Sequence, residues 1–280
     1  MKKFGLIGYP LSHSFSPAIH KKIYELNKID ASYSLIEISS KNFSNPLHTI
    51  SEDFEGLNIT IPYKTRIMDF LDNISEEAKK VGAVNTIKKI KGKWIGFNTD
   101  VEGFLFPISD LYSRINSSLV IGTGGAARAV VFALLEYVQP QQLILIGRSN
   151  EKLNQLKSSF NNKKYKTQIT KDLSKNLEDY LNVSDLIVNA SSVGMHPNVT
   201  DSVLPAEFNT IESVIAYDLV YNPQQTKFLE QIAKKSPDNI LINGIEMLIA
   251  QAVKAVEIWT DTQIPFENTI TEIKKSNLFQ

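Results

Sequence analysis

The chain has 280 residues, 42% hydrophobic and 21% charged, which describes an ordinary folded protein large enough for two modest domains. Its 30 lysines and arginines balance 30 aspartates and glutamates, so there is no global basic field for nucleic acid and no acidic tail. Cysteine is absent, which excludes disulfides, iron–sulfur clusters and thiolate metal sites and fits a reducing, cytoplasmic compartment.

The opening MKKFGLIGYP carries two lysines, but Gly5, Gly8 and Pro10 break its apolar run, which is too short for a signal peptide. No later run approaches the ~20 apolar residues of a membrane span. Phe4–Gly8 reads as a first strand and Tyr9–Pro17 as a loop. Ser16-Pro17 then has the chemistry of a helix start, serine as N-cap and proline at the first helical position, for a helix running to about Asn27. Ala31–Ile38 alternates like a strand. Asn42–Ile50 is expected to be helical, Gly56–Thr60 a strand stopped by Pro62, and Tyr63–Leu71 and Ser75–Val81 helices. Thr86–Ile90 and Lys93–Phe97 flank Lys91-Gly92, a hairpin pattern.

After Asp100 the pattern changes. Val101–Ser113 is expected to be a helix leaving the first domain. From Ser118 on, strands at Leu119–Ile121, Leu143–Ile146, Lys166–Ile169, Asp185–Asn189, Ser213–Asp218 and Ile240–Ile242 alternate with helices, the pattern of a doubly wound parallel sheet. Ile245–Trp259 and Phe266–Lys275 are two final helices, free to pack back on the first domain. The fold expected is α/β and two-lobed: a small α/β domain of residues 1–100 and 244–280, and a Rossmann-like domain of residues 101–243, with a cleft between them.

The most informative stretch follows Leu119-Val120-Ile121. Gly122-Thr123-Gly124-Gly125-Ala126-Ala127 comes at once, and Ala129, Val130, Ala133, Leu134 and Val138 then recur at helical spacing. Strand, glycine turn and helix in that order form a dinucleotide fingerprint. Gly122 permits the tight turn, Gly124 lets backbone approach a pyrophosphate, and Ala127 lets helix and strand pack closely. A site for NAD places an acid at the end of the second strand; here Leu145-Ile146-Gly147-Arg148-Ser149 is followed at Lys152 by a second cation. Arg148, Ser149 and Lys152 suit a ribose 2′-phosphate and favour NADP, although Ser149 also has the chemistry of a helix N-cap.

Polar residues cluster at strand ends in the first domain. Ser14 and Ser16 lie two apart in a loop, Asn58 and Thr60 two apart on one strand face, Lys64 follows Pro62, Asn85 ends Gly82-Ala83-Val84, and Asp100 ends Asn98-Thr99. Together they form an inventory for a small polyhydroxy substrate; singly, each could be a cap, a turn residue or a surface pair. The four histidines, at positions 13, 20, 48 and 196, lack zinc-type spacing, so no metal is expected.

These strings resemble the shikimate dehydrogenase family. The resemblance rests on Gly8–Pro17 with His20, Asn58–Lys64, Gly82–Thr86, Asn98-Thr99-Asp100, Gly122–Ala126, Asn189–Met195, Tyr217–Pro223, Gly244–Leu248 and Gln251-Ala252, in family order across residues 5–252. It implies NADPH-dependent reduction of 3-dehydroshikimate to shikimate, in the route to chorismate and aromatic amino acids. Carried over by position, Ser14, Ser16, Asn58, Thr60, Lys64, Asn85, Asp100, Tyr221 and Gln251 would contact substrate, with Lys64 and Asp100 the catalytic pair. Glu76, Gly122, Thr123, Gly124, Gly125, Ala126, Arg148, Ser149, Lys152, Leu219 and Gly244 would line the NADP site. Three positions depart from the family's habit: Gly147-Arg148-Ser149 where Asn-Arg-Thr is frequent, Lys152 where a second arginine is common, and Ser191 for threonine. The protein is expected to act on a small molecule as a monomer or homodimer. The alternatives are a quinate/shikimate dehydrogenase using NAD, which an acid at the end of the second strand would have signalled, and a non-catalytic ligand sensor, which loss of Lys64 or Asp100 would have signalled. A folate-type two-lobed dehydrogenase does not suit the Ser-x-Ser and Asn-x-Thr-x-Pro-x-Lys strings.

Overall fold

The computed structural model describes residues 1–44, 46–47, 50, 53–160, 165–173, 177–209 and 211–279. The chain forms two compact units, Met1–Gly103 with Ile249–Gln280, and Phe104–Leu248.

The first unit is built on β1 (Lys2–Gly8), α1 (Ser16–Asn27), β2 (Ala31–Glu37), β3 (Phe54–Ile59), β4 (Asn73–Ile74), α2 (Glu76–Val81), β5 (Thr86–Ile90) and β6 (Lys93–Phe97). Its mixed six-stranded sheet has the order β2-β1-β3-β5-β6-β4. Strand β1 is parallel to β2 and β3, and β5 is antiparallel to β3 and β6. The β5–β6 turn places Lys91 at φ 50° and Gly92 at φ 78°, the two left-handed residues that a tight right-twisted hairpin requires. One sheet face carries Ile7, Leu57, Ile59 and Ile87 against Phe43, Tyr63, Ile67 and Ala78. The opposite face receives Trp259: its ring stacks on Phe4 at 4.6 Å, and its Nε1 donates to Ile87 O at 2.9 Å. Trp259 lies so close to Gly56 that a Cβ there would come within 2.3 Å of the indole.

The chain leaves the first unit within α3 (Asp100–Leu105). The second unit contains β7 (Ser117–Ile121), α4 (Gly125–Ala133), β8 (Gln142–Gly147), α5 (Asn150–Ser159), β9 (Gln168–Leu173), α6 (Glu178–Leu181), β10 (Leu186–Asn189), β11 (Ile215–Asp218), α7 (Lys227–Ala233) and β12 (Ile240–Ile242). Its sheet is wholly parallel, in the order β12-β11-β10-β7-β8-β9. Counted from β7 this is 3-2-1-4-5-6 read from the far edge, the doubly wound Rossmann order, whose reversal falls between β7 and β10. Leu119, Ile121, Ile144, Ile146, Ile187 and Ala216 bury one face against α6, α7 and the segment around Phe208. On the other face Tyr217 stacks on Phe104 at 5.1 Å. The chain returns to the first unit within α8 (Ile245–Thr260), which is followed by α9 (Phe266–Lys275).

Several local expectations are corrected. Ser16 is not the N-cap of α1: the helix already includes it, and Phe15 occupies the cap position without a side-chain cap bond. Over Asn42–Ile50 the described residues form turns; Pro46 lacks the N–H a helix interior needs, and residues 45, 48 and 49 (His48 among them) lie outside the described residues. Tyr63–Leu71 contains only a 3-10 turn, Arg66–Phe70, because Leu71 turns extended toward β4. The helix expected over Val101–Ser113 is α only to Leu105 and continues as 3-10 over Phe106–Arg114, with Pro107 in its first turn. The strand expected at Lys166–Ile169 begins at Gln168 and runs to Leu173, and Thr60 falls just beyond β3.

Candidate functional site

In the first unit five of the polar residues singled out in the sequence, Asn58, Lys64, Asn85, Asp100 and Gln251, converge at the carboxyl end of β3. Lys64 Nζ donates to Asp100 Oδ2 at 2.6 Å, with the two side chains 15% and 5% exposed. The other carboxylate oxygen accepts from Asn85 Nδ2 at 3.0 Å. Asn85 Nδ2 also reaches Thr99 Oγ1 at 2.8 Å and Gln251 Oε1 at 3.4 Å, and Asn85 Oδ1 accepts from Thr99 N at 2.7 Å. Thr86 Oγ1 lies 3.2 Å from Asn85 Oδ1 and 3.0 Å from Asn58 Nδ2, and Tyr33 Oη donates to Asn58 Oδ1 at 2.8 Å. Lys64, Asp100, Asn85, Gln251 and Asn58 thus form one hydrogen-bonded network.

Local backbone geometry holds the catalytic candidates in place. Asn98 Oδ1 accepts from Asp100 N and Val101 N at 3.1 and 3.3 Å, closing the start of α3, and Asn98 Nδ2 donates to Ala83 O. Lys64 O accepts from Val84 N at 2.7 Å, which ties the lysine's segment to the Gly82–Asn85 loop. A lysine and an aspartate removed from water are stable together only when the remaining oxygen is also satisfied, and Asn85 does this. A protonated Lys64 has three donors, one of which goes to Asp100.

Ser14 and Ser16 do not join this network through any hydrogen bond the structure gives. Ser14 Oγ accepts from Ser16 N at 3.2 Å, and Ser16 is buried. Thr60 is fixed by its backbone, donating to Ile7 O and accepting from Tyr63 N. Glu76 is exposed at the start of α2 and pairs with Lys79 at 2.8 Å, which holds its carboxyl below the usual range. His20 is stacked on Tyr33 at 3.9 Å; burial pushes it down to about 3, against an opposing pull from Asn58. Among the described residues no cluster of three or more His, Asp or Glu is arranged to hold a metal, and no helix is long and apolar enough to cross a membrane.

In the second unit the glycine turn joins β7 to α4. Gly122 takes φ +134°, and a Cβ on it would lie 2.8 Å from Ala190 O. Gly124 is the extended N-cap residue of α4 and supplies no side-chain cap, so the first amides of the helix are left for another acceptor. A Cβ on Gly124 would meet no protein atom within 4 Å. Open space beside uncapped amides is what a pyrophosphate needs, and these residues fit one. Past β8, Arg148 and Lys152 are exposed, while Ser149 Oγ caps α5 by accepting from Lys152 N at 3.4 Å. Ser149 therefore serves as the N-cap, with Arg148 and Lys152 on either side of it in sequence. Leu219 and Gly244 are brought together: a Cβ on Gly244 would fall 2.2 Å from Leu219 O. Tyr221 follows on the same loop, its phenol pushed up by burial.

Sequence reasoning singled out the ends of these networks and missed their links. Tyr33, Thr86, Thr99, Asn98, Asn189 and Asp218 carry bonds between the chosen residues or their loops. Five of the six lie inside the quoted strings, so adjacency to a chosen residue was the available signal; Tyr33 gave none.

Residues 6–87 match the family model "Shikimate dehydrogenase substrate binding domain" and residues 244–273 match "Shikimate 5'-dehydrogenase C-terminal domain". The chain is 37% identical over 277 residues to the NADP(+) shikimate dehydrogenase of Clostridium beijerinckii, covering 97% of this chain and 96% of that one. Among solved structures it is similar to the shikimate 5-dehydrogenase of Thermus thermophilus in complex with NADP(H) and shikimate, at 30% identity and TM-score 0.83, covering 98% of this chain and 99% of that one. The quinate dehydrogenase of Corynebacterium glutamicum in complex with NAD has the same fold at 27% identity and TM-score 0.84, covering 98% of this chain and 99% of that one.

Proposed function

Because this chain belongs to the shikimate dehydrogenase family, we infer that it catalyses the reversible NADP-dependent reduction of 3-dehydroshikimate to shikimate. The first unit is the substrate and catalytic domain, and the second binds NADP. A cytoplasmic monomer or homodimer belongs to the same reading.

Reducing a ring ketone adds hydride to carbon and a proton to oxygen. Bound NADPH supplies the hydride. Lys64, as an ammonium, stabilises the negative charge that builds on the oxygen and delivers the proton; in the opposite direction its neutral amine takes the hydroxyl proton. Asp100 orients Lys64 and accepts from a neighbouring substrate hydroxyl. Asn85 holds Asp100 and is itself bonded to Gln251; both offer further polar groups to the ring, with Asn58, Thr60 and Tyr221 as additional contacts. Ser14 from the first loop and Ser16 from the start of α1 bring hydroxyls. Arg148 at the end of β8 stands where an enzyme selective for NAD would carry an acid, which favours the 2′-phosphate cofactor over the quinate and NAD alternative.

The observation that carries this reading is the Lys64–Asp100 contact of 2.6 Å, largely buried and wired through Asn85 to Gln251. The test is absorbance of reduced nicotinamide with shikimate and NADP or NAD. Wild type should turn over with NADP, and Lys64→Ala should lower kcat about 10²–10⁴-fold. Near-normal turnover by the variant removes Lys64 from the chemistry, and activity mainly with NAD reassigns the cofactor.

A further inference from the structure

Three segments of the second unit close on one carboxylate at the end of β11. Asp218 is 0% exposed. Its Oδ1 accepts from Asn189 Nδ2 at 2.9 Å and Val220 N at 3.0 Å, and its Oδ2 accepts from Thr226 Oγ1 at 2.6 Å. One donor ends β10, and the other two lie on the connection from β11 to α7. Asn189 ends β10; its Oδ1 accepts from Ser191 N and Ser191 Oγ at 3.1 and 2.7 Å, and its Nδ2 also donates to Val193 O. Val220 belongs to the turn after β11. Thr226 Oγ1 accepts from Leu229 N and so caps α7. Burial pushes the carboxyl of Asp218 up to about 6, while the three hydrogen bonds pull it back. An acid buried this far is costly, and three converging donors are what offset that cost.

The two loops so tied flank the cofactor turn. The glycine turn follows β7 and Arg148 follows β8, its neighbour on one side; β10 and β11 lie on the other. A dinucleotide with its pyrophosphate at the glycine turn and its 2′-phosphate at Arg148 must run its other half over the ends of β10 and β11. Ala190 O, just past β10, is the atom a Cβ on Gly122 would strike, and Leu219 O, just past β11, is the atom a Cβ on Gly244 would strike. Both carbonyls adjoin residues that bond within the Asp218 network.

We propose that Asp218 is a positioning residue of the cofactor site, fixing the loops after β10 and β11 in the shape that receives the nicotinamide half of NADP. The inference rests on the NADP-dependent reading above. The carboxylate need not touch the cofactor. It is an acceptor at both oxygens, and an amide can replace it: Oδ1 of an asparagine keeps both of its donors, and Nδ2 can donate to Thr226.

The test compares the full-length wild type with Asp218→Ala, Asp218→Asn and Thr226→Val. The measurements are NADPH affinity by fluorescence titration, KM for NADP, and Tm. In Asp218→Ala, Kd for NADPH and KM for NADP should rise together by about tenfold or more, the scale of one lost hydrogen bond to a charged group. Asp218→Asn should return within about threefold of wild type. Thr226→Val removes the α7 cap but leaves both bonds at Oδ1, so its Tm should fall while Kd stays within about twofold. If Asp218→Ala does not fold, Asn189→Ala, which cuts the tie to Asp218 together with the Ser191 and Val193 bonds of the β10 loop, takes its place with the same expected rise. A folded Asp218→Ala with wild-type Kd overturns the proposal. So does an Asp218→Asn as weak as the alanine variant, or a Thr226→Val that weakens NADPH as much. A wild type that binds NADPH but leaves shikimate unoxidised would overturn the catalytic reading and leave the affinity comparison valid.

Discussion

Gly122 and Gly124 sit two residues apart in the chain and are glycine for different reasons. Gly122 is demanded by the protein itself: its φ of +134° and the 2.8 Å approach to Ala190 O exclude a side chain. Gly124 has ordinary extended backbone and nothing in the protein within 4 Å of a Cβ position. Gly122→Ala should therefore cost about 1–3 kcal/mol of stability from backbone strain. Gly124→Ala should cost no more than about 1 kcal/mol at an N-cap position, yet weaken NADPH binding, because the proposed seat of the pyrophosphate needs that space. Melting curves and NADPH titration on both variants separate the two roles; a Gly124→Ala protein with unchanged affinity would remove the phosphate from this turn. The GxGxxA string marked both glycines in the sequence, and only the neighbouring β10 backbone distinguishes them.

At the scale of elements, α8 and β3 are fitted to each other by one missing side chain. Trp259, 2% exposed, occupies the space above Gly56, stacks on Phe4 and donates to Ile87 O. Gly56→Ala would place a methyl 2.3 Å from the indole, so the helix or the strand must give way. Overpacking of this kind costs about 1–3 kcal/mol, and urea unfolding should register it as a lower midpoint. A midpoint within error of wild type would mean that the indole has room to move. The sequence marked Ile245–Trp259 as a helix and Gly56 as a strand residue. It held no sign that a residue so distant along the chain would claim that glycine's empty face.

Across the whole molecule, stability at acid pH is set partly by two buried groups with opposite effects, one in each unit. His20 has its pKa pushed down to about 3 by burial. The unfolded chain therefore takes up its proton first, and stability present above the ordinary histidine value is lost as pH falls from about 6.5 toward 3. Asp218 is pushed up to about 6. Here the folded chain holds the proton more tightly, so its contribution is fully present below the ordinary carboxylate value near 4 and is lost as pH rises through 6. Each slope is about 1.4 kcal/mol per pH unit at most, and between pH 4 and 6 they oppose each other. Relative to wild type, His20→Met should gain stability steadily on acidification from pH 6.5, and Asp218→Asn should lose it from pH 6. Denaturant midpoints at pH ~4.5, ~5.5 and ~7 check both signs; a flat difference for His20→Met would mean that the imidazole takes up its proton over the same pH range in the fold as in the unfolded chain.

The sequence by itself determined what neighbours along the chain decide. The β7–glycine–α4 unit, the Lys91-Gly92 hairpin, the end of α1, the bounds of α9 and the alternation of the second unit all follow from backbone sterics, hydrogen bonding between nearby residues and the period of apolar side chains. The family strings also named the ends of the polar network, Lys64, Asn85, Asp100 and Gln251. Only the tertiary structure decided that Asn85 meets Gln251 across 166 positions of sequence and that Asp218 ties together loops that follow two different strands. It also decided that the segment Arg66–Phe70 stops short as a 3-10 turn, where Leu71 turns extended toward β4. Those outcomes depend on strand order and on which faces pack together. A buried hydrogen bond is worth making only when its partner has been brought out of water too, and that condition is met by the whole fold rather than by any stretch of it.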